Sequence, residues 1–383
     1  MTRSIEDLIP AYIRGLPVYV PGKPIEEVER ELKIHAVKLA SNENPLGPSP
    51  MAMEAVKRAL GDSHRYPDGG SKRLRQTLAA RHNVSPEEIF IGLGSSEIID
   101  LASRTLLRPG LQGVTSQGTY APFSIAIRAS GAALVQTPLH AYAYELAGIA
   151  AAITPETRVV YLANPNNPTG TAFGAAELEQ FLSRVPRDVG VVLDEAYIHY
   201  AARPDMPRSE DLFRRHNNLL ILRTFSKVYG LAGLRLGYGI GQEPLVRAMN
   251  KLRTPFNVSN LAQAAALAAL DDAEHVRRSV ETNRAGRARL AAGLDPLGLR
   301  PVPSETNFLF LELGPEAEAF CGELLLGGVI VRPLGWMGFP QAVRVSVGTP
   351  EENEAFLAAM ARLWPRHAPA GPGQAPNKEL ARP

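Results

Sequence analysis

Cysteine is almost absent from this chain, which contains one, Cys321, in 383 residues. A single cysteine cannot form an internal disulfide, and no metal ligand or nucleophile partner stands near Cys321 at a recognisable spacing. We interpret it as a small, partly buried apolar residue. No tandem repeat of fixed period is visible, which argues against solenoids and propellers. No apolar run approaches the ~18 residues of a membrane span, and the N-terminus is too acidic for a signal peptide, so we expect a cytoplasmic protein.

An excess of charge of one sign is lacking too. The sequence has 41 Lys and Arg against 39 Asp and Glu, a formal net charge of +2, with both signs interspersed. This balance argues against a nucleic-acid-binding or membrane-surface protein, and the histidines show no metal-ligand spacing. Hydrophobic residues make up 45% of the chain and charged residues 21%, which is typical of soluble proteins with a large core.

The middle of the chain alternates short apolar runs with helical patterns. Apolar, β-branched runs predict buried strands at 88–91, 158–162, 189–193 and 219–222. Apolar residues recurring every three or four positions predict helices at 96–107, 122–130 and 175–185. This order predicts an α/β fold, with a large domain built on a mostly parallel sheet that helices flank on both faces.

The pattern changes near residue 258. One long helical pattern at 261–294 is followed by three alternating strand candidates, in TNFLFLEL, GGVIVRPL and AVRVSVG. We therefore expect a smaller α+β domain at 259–365. The last stretch, 366–383, is rich in Pro, Gly and Ala and cannot bury apolar surface, so it is predicted to be a disordered tail.

Polar side chains cluster after three of the predicted strands, where open parallel sheets bind their ligands. These side chains are Asn167, Asp194, Tyr197, Thr224, Ser226, Lys227 and Arg235. A lysine that forms imines needs a carbonyl partner. A bound aldehyde cofactor with a pyridine ring and a phosphate would give every other group a task.

The ring of such a cofactor would be held by three of these residues. The Asp194 carboxylate would keep the pyridinium nitrogen protonated, so that the ring accepts the electrons released when a substrate Cα–H bond breaks. Tyr197 and Asn167 would hydrogen-bond the phenolate oxygen of the ring and stabilise its anionic form.

The phosphate would be held by hydroxyl and guanidinium donors. Thr224, Ser226 and Arg235 are natural phosphate ligands, Arg235 because its planar fork matches phosphate oxygens. A second phosphate cradle is predicted in GLGSS, where Ser95 and Ser96 open a helix with free backbone N–H groups.

Several motifs resemble those of the fold-type-I, pyridoxal-phosphate-dependent aminotransferases, and specifically the histidinol-phosphate aminotransferase group. They are KLASNENPLGPSP, RYPDGG, NPNNPTG, VVLDEAY, TFSKVYGLAGLRLGYGI and VRVSVGTPEENEAF. The likeness runs from about residue 19 to about residue 363. It implies that 1–44 joins 259–365 in the small domain, beside a large cofactor-binding domain at 45–258.

The resemblance also implies roles for individual residues. Lys227 is then the internal-aldimine lysine and the base that moves the proton between the substrate Cα and the cofactor. Tyr120, in GTYAPF, is similar to the aromatic residue that stacks on the ring. Tyr66, in RYPDGG, corresponds to a tyrosine that reaches the cofactor phosphate of a neighbouring subunit, which implies a homodimer with shared sites.

The substrate site is implied in the same way. Arg344 matches the arginine that binds the anionic end of the substrate, Arg332 is its companion, and Tyr19 resembles a tyrosine that closes over the substrate. Histidinol phosphate has no carboxylate and glutamate has two, and two guanidinium groups would accept either anion. The expected reaction is ping-pong amino transfer between histidinol phosphate and 2-oxoglutarate, in histidine biosynthesis.

Other functions are compatible with parts of the sequence. GLGSSE begins like a dinucleotide fingerprint, but Glu97 occupies the place of the third glycine, so a nicotinamide dehydrogenase is weakly supported. A transcription regulator would need a DNA-binding module before the cofactor domain, and the ~40 residues there are not basic. Within the cofactor family, an aromatic-amino-acid aminotransferase and a phospho-amino-acid decarboxylase stay open.

Overall fold

The computed structural model describes residues 4–16, 18 and 24–367. Most of the predicted tail lies outside them. Within these ranges the helices are α1 Ala11–Arg14, α2 Ile25–Leu32, α3 Pro50–Ala59, α4 Lys72–His82, α5 Ser95–Leu106, α6 Pro122–Ala129, α7 Leu146–Ala151, α8 Ala175–Arg184, α9 Ser209–Phe213, α10 Glu243–Leu252, α11 Asn260–Asp271, α12 Ala273–Leu294, α13 Ala317–Leu326 and α14 Pro350–Leu363. The strands are β1 Val37–Lys38, β2 Ile89–Gly92, β3 Gln112–Ser116, β4 Ala133–Thr137, β5 Leu139–His140, β6 Ala143–Tyr144, β7 Thr157–Ala163, β8 Gly190–Asp194, β9 Leu219–Thr224, β10 Gly237–Ile240, β11 Phe308–Glu312, β12 Val329–Ile330, β13 Arg332–Pro333 and β14 Ala342–Ser346.

The large sheet has the strand order β2-β10-β9-β8-β7-β3-β4 in the described chain. β10 runs antiparallel to both of its neighbours, β2 and β9, whereas the other pairs are parallel. The predicted fold class, a mostly parallel sheet flanked by helices with a smaller α+β part, is confirmed.

The strands of this sheet are apolar throughout because both of their faces are buried. Ile89 and Ile91 point into the core that contains α4 and α8, whereas Phe90, between them, points into the core that contains α5 and α6. Val160 and Tyr161 divide between the same two cores. Successive side chains of a strand alternate in direction, so a doubly covered strand reads as a continuous hydrophobic run.

The helical pattern at 261–294 forms two helices instead of one. Asp272 separates α11 from α12, and its carboxylate accepts hydrogen bonds from the backbone N–H of His275 (3.1 Å) and from the Ser49 hydroxyl (2.6 Å). An aspartate that caps a helix start leaves the helical conformation itself. Periodicity alone does not reveal this break, because the apolar pattern continues across it.

The smaller sheet consists of β11, β14 and β13, which pair antiparallel. The strand predicted in GGVIVRPL is divided into β12 and β13, because β12 pairs with β1 in parallel and β13 pairs with β14. The pairing of β1 with β12 brings the N-terminal segment against the C-terminal part of the chain. The domain boundaries given above stay a prediction.

The carboxyl ends of β8 and β9 are the part of the fold that positions the site. β8 ends at Asp194 and β9 at Thr224, on adjacent parallel strands, so both residues emerge at the same edge of the sheet. Among the described residues, no helix combines the length and hydrophobicity needed to cross a bilayer. The cytoplasmic location stays a prediction.

Candidate functional site

A cavity of about 610 Å³ lies at this edge of the sheet. Its wall includes most of the residues that the sequence singles out. These are Ser95, Ser96, Tyr120, Asn167, Asp194, Tyr197, Thr224, Ser226, Lys227, Arg235, Arg332 and Arg344. The fold thus brings together side chains that are up to about 250 positions apart in the sequence, on a scale suited to a small-molecule ligand.

Lys227 follows β9 and directs its amine into the cavity. Its Nζ donates to the backbone carbonyl oxygens of Asn42 (3.2 Å) and Ser41 (3.4 Å). Burial, reinforced by the nearby positive charge of Arg344, lowers the pKa of Lys227 to about 8. An amine with this pKa is partly neutral near physiological pH, which is the form that attacks a carbonyl carbon.

Asp194 ends β8 as a buried carboxyl group. Its Oδ1 accepts the backbone N–H of Ala196 at 3.0 Å. Burial nevertheless raises the pKa of Asp194 to about 7, against the opposing effects of that hydrogen bond and of the Ser95 hydroxyl. A positively charged ligand atom beside it would favour the ionised carboxylate. A protonated pyridine nitrogen is such an atom.

Tyr197 and Asn167 are oriented by neighbours from distant parts of the chain. The Asn42 side-chain amide donates to the Tyr197 hydroxyl oxygen at 2.9 Å. The Arg344 guanidinium donates to Asn167 Oδ1 at 2.7 Å, which turns the NH₂ end of that amide away from Arg344. Burial raises the pKa of Tyr197, so the phenol is neutral and keeps its proton for donation.

Not every asparagine of NPNNPTG faces the cavity. Asn164 is fully buried and exchanges two hydrogen bonds with the backbone of Phe173, at 3.0 and 3.1 Å. Asn166 is equally buried and donates to the hydroxyl of Thr169 (2.9 Å). These two asparagines hold the shape of the loop, and Asn167 is the one that lines the cavity.

Hydroxyl and guanidinium groups form one end of the cavity. Ser95 and Ser96 are the first residues of α5, and Thr224, Ser226 and Arg235 line the same cavity. Gly94 precedes α5 with φ +80°, and a Cβ there would lie 3.0 Å from the Arg235 guanidinium. The glycine therefore lets that cation approach a helix N-terminus, where backbone N–H groups also favour an anion.

Tyr120 stands beside this end of the cavity. Its hydroxyl shares a hydrogen bond of 2.9 Å with Ser96, and its ring packs edge-on against Phe123. Burial raises the pKa of Tyr120 to about 12, so the side chain is a neutral aromatic. Its position is compatible with the stacking role implied by the resemblance, and that role stays a prediction.

Arg332 and Arg344 are direct cross-strand neighbours. They occupy opposite positions in the register of β13 and β14, and both line the cavity. Arg344 is 8% exposed, donates to the backbone carbonyl of Ala40 (2.7 Å), and lies over the Phe308 ring at 5.3 Å. Two adjacent guanidinium groups on one wall make that wall attractive to an anion.

Two predicted site residues lie apart from the cavity. Tyr66 is 83% exposed, stacks on Phe256 with ring centroids 4.7 Å apart, and is not among the residues that line the cavity. Tyr19 lies outside the described residues.

Sequence reasoning missed some residues of the wall. The segment 40–43 and the side chains of Trp336 and Met337 also line the cavity. Asn42 is 1% exposed, has φ +56°, and also exchanges hydrogen bonds with Ser346. The motif KLASNENP supports the family resemblance but predicts no role for any of its residues. The only indication in the sequence is a run of short polar residues after a pattern typical of a strand. Tyr197, the hydrogen-bond partner of Asn42, is 155 positions away in the sequence.

The donor set fits a small heterocycle that carries a phosphate and an aldehyde. One end of the cavity offers hydroxyl groups and Arg235 to a phosphate. Asp194 offers a buried carboxyl group to a basic ring nitrogen, and Lys227 offers an amine to the aldehyde. Arg332 and Arg344 add two guanidinium groups to the lining of the same cavity.

Comparison with known proteins identifies the family. The model of aminotransferase class I and II matches residues 34–360. Histidinol-phosphate aminotransferase 2 of Pseudomonas aeruginosa is 48% identical over 354 residues, covering 92% of this chain and 96% of its own, and that of Ralstonia nicotianae is 48% identical over 357 residues with the same coverage.

A solved structure agrees with these relatives. The histidinol-phosphate aminotransferase of Sinorhizobium meliloti, crystallised in complex with pyridoxal-5′-phosphate, is 32% identical to this chain. It superposes with a TM-score of 0.86 and covers 94% of this chain and 98% of its own. Together, the matched model, the two relatives and this fold show that the chain belongs to the class I and II aminotransferases, within the histidinol-phosphate aminotransferase group.

Proposed function

We propose that the protein transfers an amino group between L-histidinol phosphate and 2-oxoglutarate, giving imidazole-acetol phosphate and glutamate, as a step of histidine biosynthesis. Its cofactor is pyridoxal 5′-phosphate, held covalently by Lys227. The names of the relatives and the cofactor of the S. meliloti structure support this proposal. The observation that carries it is the pair Arg332 and Arg344, opposite each other in register and lining the same cavity as Lys227.

Pyridoxal phosphate supplies an aldehyde that binds amines covalently and a ring that takes up the electrons of a broken Cα–H bond. The protein's part is to hold that ring in the state in which it accepts electrons. Asp194, whose pKa burial raises to about 7, becomes a carboxylate opposite a positively charged nitrogen and stabilises that charge. Tyr197 donates its proton toward the ring oxygen while its own oxygen accepts from Asn42.

Lys227 has two tasks in this mechanism. Its amine, with a pKa of about 8, first anchors the aldehyde carbon. Once a substrate amine has displaced it, Lys227 would be a neutral base in the cavity that takes a proton from the substrate Cα and delivers it to the former aldehyde carbon of the cofactor. Because the cavity lowers its pKa by burial and by Arg344, the amine is ready to accept a proton near neutral pH.

The two half-reactions would in turn use the part of the cavity wall formed by Arg332 and Arg344, called the anion wall below. Histidinol phosphate presents a phosphate to Arg332 and Arg344, and after it leaves, 2-oxoglutarate presents a carboxylate to the same groups. Guanidinium forks bind both kinds of anion through paired N–H donors. A ping-pong mechanism at one active site requires that the same groups bind the two substrates one after the other.

The proposed active unit is a homodimer. Tyr66 is 83% exposed and lies outside its own cavity, which is where a residue must be if it completes the site of a second subunit. In the proposed dimer its hydroxyl donates to the cofactor phosphate of the neighbouring chain.

Substrate preference is tested by comparing kcat/KM for histidinol phosphate, phenylalanine and aspartate, each with 2-oxoglutarate as acceptor. We expect the highest kcat/KM for histidinol phosphate, because its phosphate engages both arginines. A preference for phenylalanine would replace the proposal with the aromatic-amino-acid aminotransferase alternative. Arg344→Ala should weaken both half-reactions, and a loss confined to one of them would contradict the shared anion site.

Attachment of the cofactor is tested separately. The purified protein should be yellow, and borohydride reduction followed by peptide mass mapping should locate the cofactor on Lys227. Lys227→Ala should abolish transamination. Arg277→Met, which removes an exposed cation of α12, is the control and should leave the colour and the activity unchanged. Sustained turnover by Lys227→Ala would contradict the proposed base.

A further inference from the structure

Trp336 occupies an unusual position for a tryptophan, at the rim of the cavity. It lies in a short 3₁₀ turn, Gly335–Met337, that connects β13 to β14. The side chain is 49% exposed and lines the same cavity as Arg332 and Arg344. No part of the proposed mechanism above uses it.

The backbone around Trp336 is held in place by buried neighbours and by hydrogen bonds within the turn. Leu334 is fully buried and Met337 is 9% exposed, and both pack with Phe310 in a small apolar cluster. The turn is closed by hydrogen bonds from the backbone N–H groups of Met337 and Phe339 to the carbonyl of Leu334, at 2.9 and 3.1 Å. The backbone that carries the indole is therefore fixed by packing and hydrogen bonds. The indole itself is half exposed and does not fill the core.

The indole ring contacts the guanidinium of Arg332. The Arg332 Cζ lies 5.0 Å from the ring centroid, within the range in which a cation is attracted to an aromatic face. Such a contact uses the flat face of a guanidinium, whereas an anion is bound through the N–H groups at its edge. Stacking on Trp336 and binding of an anion are therefore compatible.

Arg344, the cross-strand neighbour, is fixed in another way. Its guanidinium lies over the Phe308 ring at 5.3 Å and donates to Asn167 and to the carbonyl of Ala40, both at 2.7 Å. Arg344 is 8% exposed, whereas Arg332 is only half-buried at the rim. Contact with the Trp336 ring restricts the orientations open to the Arg332 side chain, so less conformational entropy is lost when an anion requires a single one.

We propose that Trp336 is a positioning residue that holds the Arg332 guanidinium toward the cavity and thereby sets the affinity for substrates with a distal anionic group. This inference rests on the proposed function, since it assigns Trp336 to the anion wall of that site. Trp336 strengthens the binding of phosphate-terminated and carboxylate-terminated substrates alike, because it acts on the arginine and not on the anion. Substrates that lack a distal anion should be indifferent to it.

The first test distinguishes the effect of an aromatic ring at position 336 from the effect of side-chain size alone. In the holoenzyme, Trp336→Leu should raise KM for 2-oxoglutarate and for histidinol phosphate roughly two- to fivefold, as expected from loss of an exposed cation–π contact. Trp336→Phe, which keeps an aromatic face, should restore most of the affinity. In both variants kcat should stay close to that of the unmodified enzyme, because binding is lost equally in the ground and transition states.

Two outcomes would overturn the proposal. One is an unchanged KM for both anionic substrates in Trp336→Leu. The other is an equal loss of kcat and kcat/KM for all substrates, including phenylalanine, which has no distal anion; this would indicate a general disturbance of the site. Thermal unfolding of both variants should match that of the unmodified protein, because the indole is half exposed.

A second measurement does not depend on turnover. The chain has two tryptophans, and Trp364 is buried at 4% exposure, so the emission lost in Trp336→Phe isolates the signal of Trp336. Titration of the holoenzyme with inorganic phosphate or 2-oxoglutarate should change this signal, and Arg332→Gln should reduce the change. An emission that does not respond to either anion would count against the proposal. If histidinol phosphate is not a substrate but these anions still change the emission, the proposed substrate fails and the role of Trp336 stands.

Discussion

Asp194 and Tyr197 should differ sharply in what their removal costs. Asp194→Asn keeps the shape of the side chain and removes the charge that, in the proposed mechanism, stabilises the ring nitrogen, so kcat/KM should fall by roughly 10²- to 10³-fold, the scale of losing one partner of a buried ion pair. Tyr197→Phe removes one hydrogen bond and should cost about tenfold or less. Steady-state kinetics on both variants gives the ratio. Equal losses would contradict the separate roles of charge and hydrogen bond.

The pKa of Lys227 predicts how cofactor capture depends on pH. The pKa is lowered to about 8, so the amine is half neutral near pH 8, becomes rarer in its reactive neutral form below that pH, and is almost entirely neutral one to two pH units above it. The initial rate at which cofactor-free protein captures added pyridoxal phosphate should therefore rise with pH, pass its midpoint near pH 8 and level off above about pH 9. Absorbance measures this rate, and Nα-acetyl-lysine, treated in parallel, corrects for titration of the cofactor itself.

Arg344 makes this prediction specific, because its positive charge is one cause of the low pKa of Lys227. Arg344→Met should shift the midpoint of the capture rate to higher pH. Arg277→Met, which removes an exposed arginine of α12, should not shift it. A midpoint that stays in place in Arg344→Met would leave burial as the sufficient cause.

Single residues of the site differ in how far the sequence reveals them. Lys227 and Asp194 could be predicted because each follows a strongly apolar strand, and chain order alone brings both to one edge of the sheet. Asn42 and Trp336 could not, since the first contacts Tyr197 and the second contacts Arg332, and these contacts depend on three-dimensional packing. A residue that works by orienting another leaves no local pattern.

At the scale of elements, β8 and β9 are tied together behind the site by a buried ion pair. Arg223 donates to Glu195 Oε2 at 2.8 and 3.0 Å, and a further oxygen, on Glu210, lies 2.9 Å from the same guanidinium. Glu195 is next to Asp194, and Arg223 is next to Thr224. The ion pair thus joins the two strand ends that carry Asp194 and Thr224.

Breaking this pair should destabilise the protein strongly. Arg223→Met leaves the buried Glu195 carboxylate without its cation, and we expect a loss of about 3–5 kcal/mol in the free energy of unfolding. Arg277→Met is the control, because it breaks only exposed ion pairs with Glu274 and Glu281 on the surface of α12 and should leave the free energy of unfolding nearly unchanged. Urea denaturation measures both. A similar small loss in the two variants would show that the buried pair adds little.

Elements were predictable where the apolar pattern and the burial agree. β7, β8 and β9 lie within two residues of their predicted positions, because strands covered on both faces are apolar throughout. The single helix expected at 261–294 and the single strand expected in GGVIVRPL were wrong. In each case a tertiary partner interrupts the element, Ser49 at Asp272 and β1 at β12.

At the scale of the whole molecule, the exposed apolar side chains indicate how two chains would associate. α3 and the residues after it expose Met51, Met53, Leu60 and Tyr66, and Phe256 stacks on Tyr66. Burying such side chains against a second copy is favourable, and a two-fold axis would bury each set on both subunits. The proposed homodimer would in this way bring Tyr66 to the neighbouring site.

Sharing of sites between subunits predicts that a mixture of two impaired variants is more active than either variant alone. A Tyr66→Ala chain cannot supply Tyr66 to the site of its partner subunit. A Lys227→Ala chain lacks the lysine in the site of its own subunit. In a hybrid dimer of these two chains, one site has lost both residues and the other has kept both. After equal amounts are unfolded and refolded together, half of the dimers should be hybrids, and the mixture should recover about a quarter of the unmodified activity.

The control for this experiment is a mixture of Lys227→Ala with Asp194→Asn. If Asp194 serves the site of its own chain, as its place in the cavity with Lys227 indicates, one chain of that hybrid lacks Lys227 and the other lacks Asp194. No site is then complete, and activity should not return. Recovery with Tyr66→Ala alone would therefore mean that Tyr66, and not Asp194, crosses between subunits. Failure of both mixtures to recover, with dimers present by light scattering, would contradict the shared site while leaving the dimer itself intact.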